Sequence, residues 1–301
     1  AFPTDGQLAE LAVGQITDFE PLFPSTPGKE ELEKKFELDR WYVANIAEGI
    51  DIDGVARKLA ESNKVSLVEY DIRMKLATDG LTFPYEGPVE APATRAAMSD
   101  LGFNDPLISE QWNYYNLGDL SIASTAYAGA DINIKDTWSS LTAGDPSIIV
   151  AVVDQGVDYT HPDLVPNMWV NEVEKNGKQG VDDDGNGYID DIHGFNFVDG
   201  KGEINYDRDV NYDTGHATHC AGIIAAVNNN GVGMAGVAGG TGNNDGVKIM
   251  SCQIFSQGYG GETRFSSRAI KYAADNGASI ISCSYGYLGG VFLSDGEFLS
   301  T

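Results

Sequence analysis

Three segments in the second half of the chain are continuous apolar runs of strand-forming residues: "SIIVAVVD" at 147–154, "GVKIMSCQIF" at 246–255 and "ASIISCSYG" at 278–286. Such runs are typical of parallel strands that are buried on both faces. The segments 216–227 and 266–277 that lie between them have a helical pattern, and Gly277 is placed to end the second helix. Strands that alternate with helices predict an α/β fold with a doubly wound parallel sheet.

The first half has a different pattern. "RWYVANI" (40–46) is rich in strand formers, and "DIDGVARKLAES" (51–62) has apolar residues at helical spacing. "VSLVEYDIRMKL" (65–76) alternates strictly between apolar and polar residues, which predicts a strand with one buried face. Strand, helix and strand together predict a small α+β unit at 29–80.

The remaining segments set the domain boundaries. Residues 1–28 contain several Pro and Gly without a clear period and are predicted to be an extended lead-in. The segment 81–98 includes the Pro-rich stretch "TFPYEGPVEAPAT", which suits neither helix nor sheet and is predicted to be a linker. The α/β region then occupies 99–301.

Charge narrows the possible partners. The chain of 301 residues has 45 acidic and 19 basic residues, a formal net charge of −26. Binding to nucleic acid or to an anionic membrane is therefore not expected. The acids serve either solubility or the binding of cations. No apolar stretch has the length of a transmembrane helix, and the N-terminus has no signal-peptide pattern, so a signal peptide is absent or already removed.

Three cysteines, Cys220, Cys252 and Cys283, are spread through apolar surroundings. An odd number at wide spacing argues against a disulfide framework. We expect small buried side chains.

The segment "DTGHATHCAGIIAAV" (213–227) contains two of the four histidines, His216 and His219. They could be metal ligands, a catalytic base with a structural neighbour, or a polar helix start. A serine nucleophile needs a histidine base, and that base needs an acid to orient it. Asp154 at a strand end and His216 at a helix start can meet at the carboxyl edge of the sheet. Spacing alone also leaves a purely structural pair open.

The local sequences add a resemblance. "VAVVDQGVDYTHPDL" (150–164) and "GHATHCAGIIAA" (215–226) resemble the Asp and His signatures of the subtilases, the subtilisin-like serine peptidases. "NDPLISEQW" (104–112) and "AIKYAADNGASIISCSYG" (269–286) resemble the family's mature start and pocket wall, and 40–76 resembles its inhibitory prodomain. The resemblance implies Asp154 and His216 as catalytic residues, in the family's order Asp, His, Ser.

By the same resemblance, His219 is a structural neighbour of the base, and Cys220 matches a cysteine found beneath the catalytic His in some members. A zinc site at the two histidines is disfavoured, because no zincin pattern is present and no third ligand is evident. Two positions depart from the family: Ala217 replaces the usual Gly, and Gln155 replaces the usual Ser or Thr.

The largest departure concerns the nucleophile. The family's serine lies in a Gly-Thr-Ser motif, and no such motif occurs in this chain. The oxyanion-stabilising Asn is also expected beyond residue 301. We therefore expect a C-terminally truncated subtilisin-like peptidase domain, preceded by its prodomain and inactive as given. The alternatives are a calcium-stabilised pseudopeptidase that binds peptides or protein without cleavage, and a plain calcium-binding module.

The acidic segment "DDDGNGYIDD" (182–191) predicts a Ca²⁺ loop, because oxygen ligands alternate with glycines that allow tight turns. The candidate ligands are Asp182, Asp184, Asn186, Tyr188, Asp190 and Asp191. His193 stands where an EF-hand would have Glu, so the loop is EF-like only. A solvated acidic turn is the alternative.

A second Ca²⁺ site is implied by the family resemblance alone. It would combine Asp105 and Asp163 with the loop "VNNNGVGM" (227–234), which would supply the backbone oxygens of Val227, Val232 and Met234 and the side chain of Asn230. An ordinary Asn- and Gly-rich turn is the alternative for that loop.

The resemblance also implies a substrate site. Subtilases bind an extended peptide as an added strand. The matching residues are Gly260 of "GYGG" (258–261) and Ser284, Tyr285 and Gly286. The expected partners are a peptide or protein substrate and the protein's own prodomain as an intramolecular inhibitor. Calcium use and a prodomain predict an extracytoplasmic location.

Overall fold

The computed structural model describes residues 15–62, 64–76, 101–118, 127–206, 214–256 and 261–286. The predicted linker at 81–98 and Gly260 lie outside these ranges. Among the described residues, no helix combines the length and apolar character that a membrane crossing requires.

A four-stranded parallel sheet forms the centre of the α/β region. Its strands are β4 (Ile149–Asp154), β5 (Gly194–Asn196), β6 (Lys248–Gln253) and β7 (Ile280–Cys283). The spatial order is β5-β6-β4-β7, with every neighbouring pair parallel. The predicted apolar runs at 147–154, 246–255 and 278–286 contain β4, β6 and β7, so the strand predictions are confirmed.

Helices cover both faces of this sheet. The helix α5 (His216–Ala225) packs on one face with Val150 and Val152 of β4. The helix α6 (Thr263–Asp275) packs on the other face with Ala151 and Val153. Alternate residues of one strand therefore contact opposite helical layers, which confirms the doubly wound α/β fold.

Two short helices and a two-residue strand complete this region. The helices are α3 (Lys135–Ser140) and α4 (Glu172–Lys175), and the strand is β8 (Tyr285–Gly286). Gly277 follows α6 with φ of 86°, which matches its predicted place after the helix.

The N-terminal unit pairs β1 (Ile16–Pro21) with β2 (Tyr42–Ile46) in an antiparallel ladder. The helix α1 (Glu30–Lys35) lies between these strands in sequence, and α2 (Ile52–Ala60) follows them. The strand at 40–46 and the helix at 51–62 are thus confirmed. β1 belongs to the region predicted to be an extended lead-in, so the unit begins earlier than the predicted residue 29.

The strand predicted over 65–76 is wrong for most of its length. Only β3 (Lys75–Leu76) is a strand, and it pairs with β8. The alternation of burial is nevertheless present, since Met74 is buried while Arg73 and Lys75 are exposed. An extended segment that lies on a protein surface buries every second side chain without needing a full ladder.

The three cysteines are free thiols. Cys252 is buried in the core, as expected, but Cys283 is exposed. Cys283 belongs to β7, which within the described residues pairs with β4 alone, and so its outer side has no neighbouring strand.

Candidate active site

Asp154 and His216 form a buried hydrogen-bonded pair. Asp154 is the last residue of β4, and His216 is the first residue of α5. The His216 Nδ1 lies 2.8 Å from the Asp154 Oδ1, and the two residues are 3% and 1% exposed. The structure thus brings the predicted pair together, and the Nδ1 of His216 faces the carboxylate of Asp154.

The sequence explains this meeting. Asp154 ends a buried parallel strand, and the chain returns to the carboxyl edge of the sheet to begin α5. Gly215 adopts the left-handed conformation, with φ of 74°, immediately before the helix. Glycine takes that conformation without the steric cost of a side chain, so the chain can turn sharply into His216.

Burial and hydrogen bonding set the pKa of Asp154 and the tautomer of His216. Burial raises the pKa of Asp154, while the hydrogen bond from His216 acts in the opposite direction. The Asp154 Oδ2 is buried without a hydrogen-bond partner among the described residues. A carboxylate that accepts from Nδ1–H favours the imidazole tautomer in which Nε2 is unprotonated and basic. The arrangement is that of an oriented general base.

Cys220 is the third group at this pair. Its Sγ lies 3.9 Å from the His216 Nδ1, and burial raises its thiol pKa. A protonated, partly buried thiol is a packing group rather than a nucleophile. His219, by contrast, is exposed on the next turn, which suits the predicted structural neighbour of the base.

Glu174 completes the acidic cluster and was missed by the sequence analysis. Carboxylate oxygens of Glu174, Asp182 and Asp184 lie within 4.8 Å of one another. Glu174 Oε1 accepts the backbone N–H of Asp184 at 3.1 Å, and Oε2 accepts that of Asp190 at 2.9 Å. Since Glu174 belongs to α4, outside the 182–191 pattern, no local spacing could reveal it.

The other predicted ligands of this loop lie differently. Asn186 donates to Asp184 Oδ2 at 3.2 Å and to Asp191 Oδ2 at 3.0 Å. Asp190 Oδ2 accepts the backbone N–H of Gly180 at 2.8 Å. The Tyr188 ring packs edge-on against Phe195 and Tyr272. These side chains therefore shape the loop around the three clustered acids.

Asp191 is a buried anchor of the loop. Its Oδ2 accepts from Tyr272 Oη at 2.7 Å, and its Oδ1 accepts from Asn171 at 2.8 Å. Burial raises its pKa to about 6, against the effect of these hydrogen bonds. Asp191 is fully buried, and it is not one of the three acids whose oxygens lie within 4.8 Å of one another.

The residues of the second predicted calcium site also meet. Asp163 Oδ1 accepts from the Asn230 side chain at 2.8 Å, and Oδ2 accepts the Met234 N–H at 3.0 Å. Asp105 accepts the Asn230 N–H at 3.2 Å. Burial raises the pKa of both aspartates, and the charge of Asp105 raises that of Asp163 further.

The loop backbone surrounds Asp163 closely. The Val227 N–H donates to the Asp163 carbonyl at 2.9 Å, and the Val232 N–H donates to Asn230 Oδ1 at 2.7 Å. A side chain at Gly233 would place its Cβ 2.3 Å from Asp163 Oδ2. The carboxylate thus lies in a cradle that only glycine permits.

An extended segment occupies the predicted substrate edge. Lys75 pairs with Gly286 and Leu76 with Tyr285 in antiparallel register. Ser284 immediately precedes this pairing edge.

The segment is bound on its other side as well. The Met74 N–H donates to the Gly261 carbonyl at 2.7 Å, and the Thr263 N–H donates to the Ile72 carbonyl at 3.1 Å. Met74 itself is 4% exposed within the core cluster of the α6 face. Residues 72–76 therefore lie in extended form between residues 261–263 and residues 285–286.

Taken together, a doubly wound sheet and an Asp–His pair at its carboxyl edge define an α/β protein with the base and orienting acid of a serine-type hydrolase. The model of the subtilase family, Peptidase S8, matches residues 145–298. The chain belongs to the subtilase family.

Several known proteins are similar to parts of this chain. Subtilisin-like protease 1 of Plasmodium vivax is 34% identical over 66% of this chain and 32% of its own length. The halolysin-like extracellular serine protease Nep of Natrialba magadii is 30% identical over 92% of this chain and 45% of its own length. A solved protease from Pseudoalteromonas arctica is 26% identical, covers 59% of this chain and 45% of that chain, and superposes with a TM-score of 0.36. The chain thus spans less than half the length of these relatives.

Proposed function

We propose that this chain is the prodomain and N-terminal part of a calcium-dependent subtilisin-like serine endopeptidase precursor. The observation that carries the proposal is the buried 2.8 Å contact between His216 Nδ1 and Asp154 Oδ1. His216 takes the proton of a serine hydroxyl as that oxygen attacks a peptide carbonyl, and Asp154 stabilises the imidazolium that forms. The serine is supplied by sequence outside this chain.

The N-terminal unit acts as the intramolecular inhibitor. Support comes from residues 72–76, which take the place of an added substrate strand between the 261–263 and 285–286 segments. A peptide held in this way blocks the edge that a substrate needs.

The unit is also anchored on α6. Lys271 of α6 contacts Glu33 of α1 at 2.8 Å and Thr26 at 2.7 Å. Arg268 donates to the Leu22 carbonyl at 2.8 Å. These contacts hold the inhibitory unit next to the groove between residues 261–263 and 285–286, which residues 72–76 fill.

Calcium would be bound at the acidic cluster by Glu174, Asp182 and Asp184. Three clustered carboxylates, one of them buried, repel one another unless a cation or a proton intervenes. A second ion would be bound by Asp105, Asp163 and the 227–234 loop. When bound, Ca²⁺ supplies charge compensation and links separate chain segments, and so it stabilises the folded state.

The proposed substrates are peptides and proteins that bind in extended form along residues 284–286 and near Gly260. The proposed location is outside the cytoplasm. The relative Nep is named an extracellular protease, and calcium is available there. The large negative charge favours neither nucleic acid nor anionic membranes as partners.

One competing function is a pseudopeptidase that binds peptides without cleaving them. The edge that residues 72–76 occupy would suit a binder of extended peptides equally well. The two functions differ in what happens when the nucleophile-bearing segment of the parent protein is present.

The test compares the 301-residue chain with a form extended by that segment, both in calcium. The proposal expects no peptidase activity from the shorter chain and self-processing by the longer one. His216→Ala in the longer form should abolish processing, whereas His219→Ala at the exposed neighbour should leave it. An extended chain that stays whole and inert would establish the pseudopeptidase instead.

A further inference from the structure

Gln155 connects the end of β4 to the turn before α5. It is 8% exposed and directly follows Asp154. Its side-chain Oε1 accepts the Thr214 hydroxyl at 2.9 Å and the Thr214 backbone N–H at 3.3 Å. Thr214 precedes Gly215 and His216, so this amide ties the strand that bears the acid to the turn that bears the base.

The start of α5 depends on such a tie. Gly215 occupies the N-cap position, and no side chain caps the helix. Glycine has more backbone freedom than other residues, so hydrogen bonds on its neighbours help to fix the direction in which the helix begins. The hydrogen bonds from Thr214 to Gln155 restrict that freedom one residue earlier.

Gln155 also acts on the carboxylate. Its backbone N–H donates to Asp154 Oδ1 at 2.7 Å, and this is the same oxygen that His216 Nδ1 approaches at 2.8 Å. The other oxygen, Oδ2, has no hydrogen-bond partner among the described residues. The backbone of Gln155 therefore orients the acid, while its side chain orients the approach to the base.

We propose that Gln155 is a positioning residue that holds His216 in hydrogen-bonding register with Asp154. The inference rests on the proposed function, since it assigns a support to the same pair. Its side chain is long enough to reach Thr214 from the strand end, which the shorter Ser or Thr expected from the family resemblance could not match. Small displacements of a general base reduce catalysis strongly, so such a support matters for the reaction.

The experiment observes the imidazole directly, by nitrogen-15 NMR of the histidine-labelled chain, which has four histidines. In the wild type, His216 should show a persistent Nδ1–H signal and one tautomer. Gln155→Met keeps the side-chain length but removes the amide, and should cause loss of that signal. Gln155→Glu keeps the acceptor oxygens and should restore it.

Gln111→Met is the matched control. Gln111 is also 8% exposed, and its amide makes two hydrogen bonds to the Ala235 backbone, at 2.7 and 2.9 Å. This variant loses an equally buried amide far from the pair along the chain, and should keep the His216 signal. Circular dichroism verifies that each variant is folded.

Each outcome decides the matter. An unchanged His216 signal in Gln155→Met overturns the positioning role while leaving the Asp–His pair intact. A wild type without the signal overturns the pair itself, and with it the proposed function. If Gln155→Met does not fold, Gln155→Asn, which is one methylene shorter, replaces it: loss of the signal supports the role, and retention overturns it.

Discussion

Glu174 lies at the centre of the acidic loop although it belongs to another element. It is 4% exposed, and its two oxygens accept backbone N–H groups from Asp183, Asp184 and Asp190. These hydrogen bonds offset part of the cost of burying its charge. The nearby Asp182 and Asp184 carboxylates remain a source of repulsion that a divalent cation would remove.

Glu174→Gln should therefore abolish the stabilisation that calcium provides at this loop. A ligand that binds only the folded state adds about 2.7 kcal/mol at a hundredfold excess over its Kd. We expect the calcium-dependent rise in Tm, measured by calorimetry with Ca²⁺ and with chelator, to be smaller than in the wild type, and what remains comes from the second proposed site.

Glu172→Gln is the matched control for that variant. Glu172 lies in the same short helix, and its exposed carboxylate contacts Lys175 at 3.3 Å and accepts from Asn176 at 3.2 Å. Its variant should respond to calcium as the wild type does. If the Tm of Glu174→Gln rises with Ca²⁺ as much as that of the wild type, Glu174 is not a ligand of the site.

At this scale the sequence predicts some residues and not others, for a physical reason. The approach of Asp154 and His216 could be predicted because a strand end and a helix start can meet at the carboxyl edge of a parallel sheet, and the family resemblance then implied their catalytic role. Glu174 was not, because only the tertiary approach of α4 to the loop places it there. Asp191 has the spacing of a ligand, yet its contact with Tyr272 places it beneath the loop.

Among the elements, α1 and α6 are joined by a buried charge network. Lys271 is 8% exposed and contacts Glu33, which is 7% exposed, at 2.8 Å. Asp275 contacts the same ammonium at 2.7 Å, and Ser25 and Thr26 donate to Glu33 at 2.8 Å each. Two carboxylates thus share one ammonium, so removal of Lys271 would leave both acids without their cation, whereas removal of Glu33 leaves Lys271 paired with Asp275.

Glu33→Gln should destabilise the fold, but by less than the roughly 3–5 kcal/mol of leaving a buried charge unpaired, because Asp275 still pairs with Lys271. Urea unfolding measures this loss. Glu31→Gln is the comparison, because Glu31 lies on the same helix with its side chain 93% exposed. If Glu33→Gln and Glu31→Gln have the same free energy of unfolding, the network contributes little to stability.

The same network predicts a response to acid. Burial acts to raise the pKa of Glu33, but hydrogen bonds from Lys271, Thr26 and Ser25 lower it below 4.5 overall. A depressed folded-state pKa contributes stability above the unfolded value, and that stability is lost as pH falls through the folded value. The difference in unfolding free energy between wild type and Glu33→Gln should therefore shrink below pH 4.5. A constant difference down to acid pH would contradict this.

The groove segment gives another test at this scale. Met74→Asp places a charge in the apolar core cluster and should release residues 72–76 from the edge strands. Trypsin should then cut after Arg73 and Lys75 faster than in the wild type, as followed by mass spectrometry. Glu69→Gln, at an exposed position shortly before residues 72–76, should leave the cutting rate unchanged.

The strands and helices could be predicted from the sequence more readily than the segments that they contact. Continuous apolar runs gave β4, β6 and β7, because strands covered on both faces carry no polar alternation. The 65–76 alternation predicted a strand, but its burial comes from contact with another part of the molecule. β1 escaped prediction because a Pro-containing six-residue strand has no strong local pattern.

The whole molecule has a net charge of −26, and this charge opposes compaction. Added salt shortens the Debye length from about 10 Å at 0.1 M to about 3 Å at 1 M. We expect Tm to rise with sodium chloride when chelator is present, so that calcium binding does not contribute. A Tm that falls with salt would show that attractive pairs outweigh the general repulsion.

The covalent link between residues 72–76 and the rest of the chain has a consequence for competition. Because the segment is tethered, its effective concentration at its binding edge is far higher than that of a free peptide and can reach the millimolar range. Free peptides at micromolar levels would therefore hardly displace it. After a cut between the segment and the α/β region, the same contacts would become bimolecular, and simple dilution would begin to open the groove.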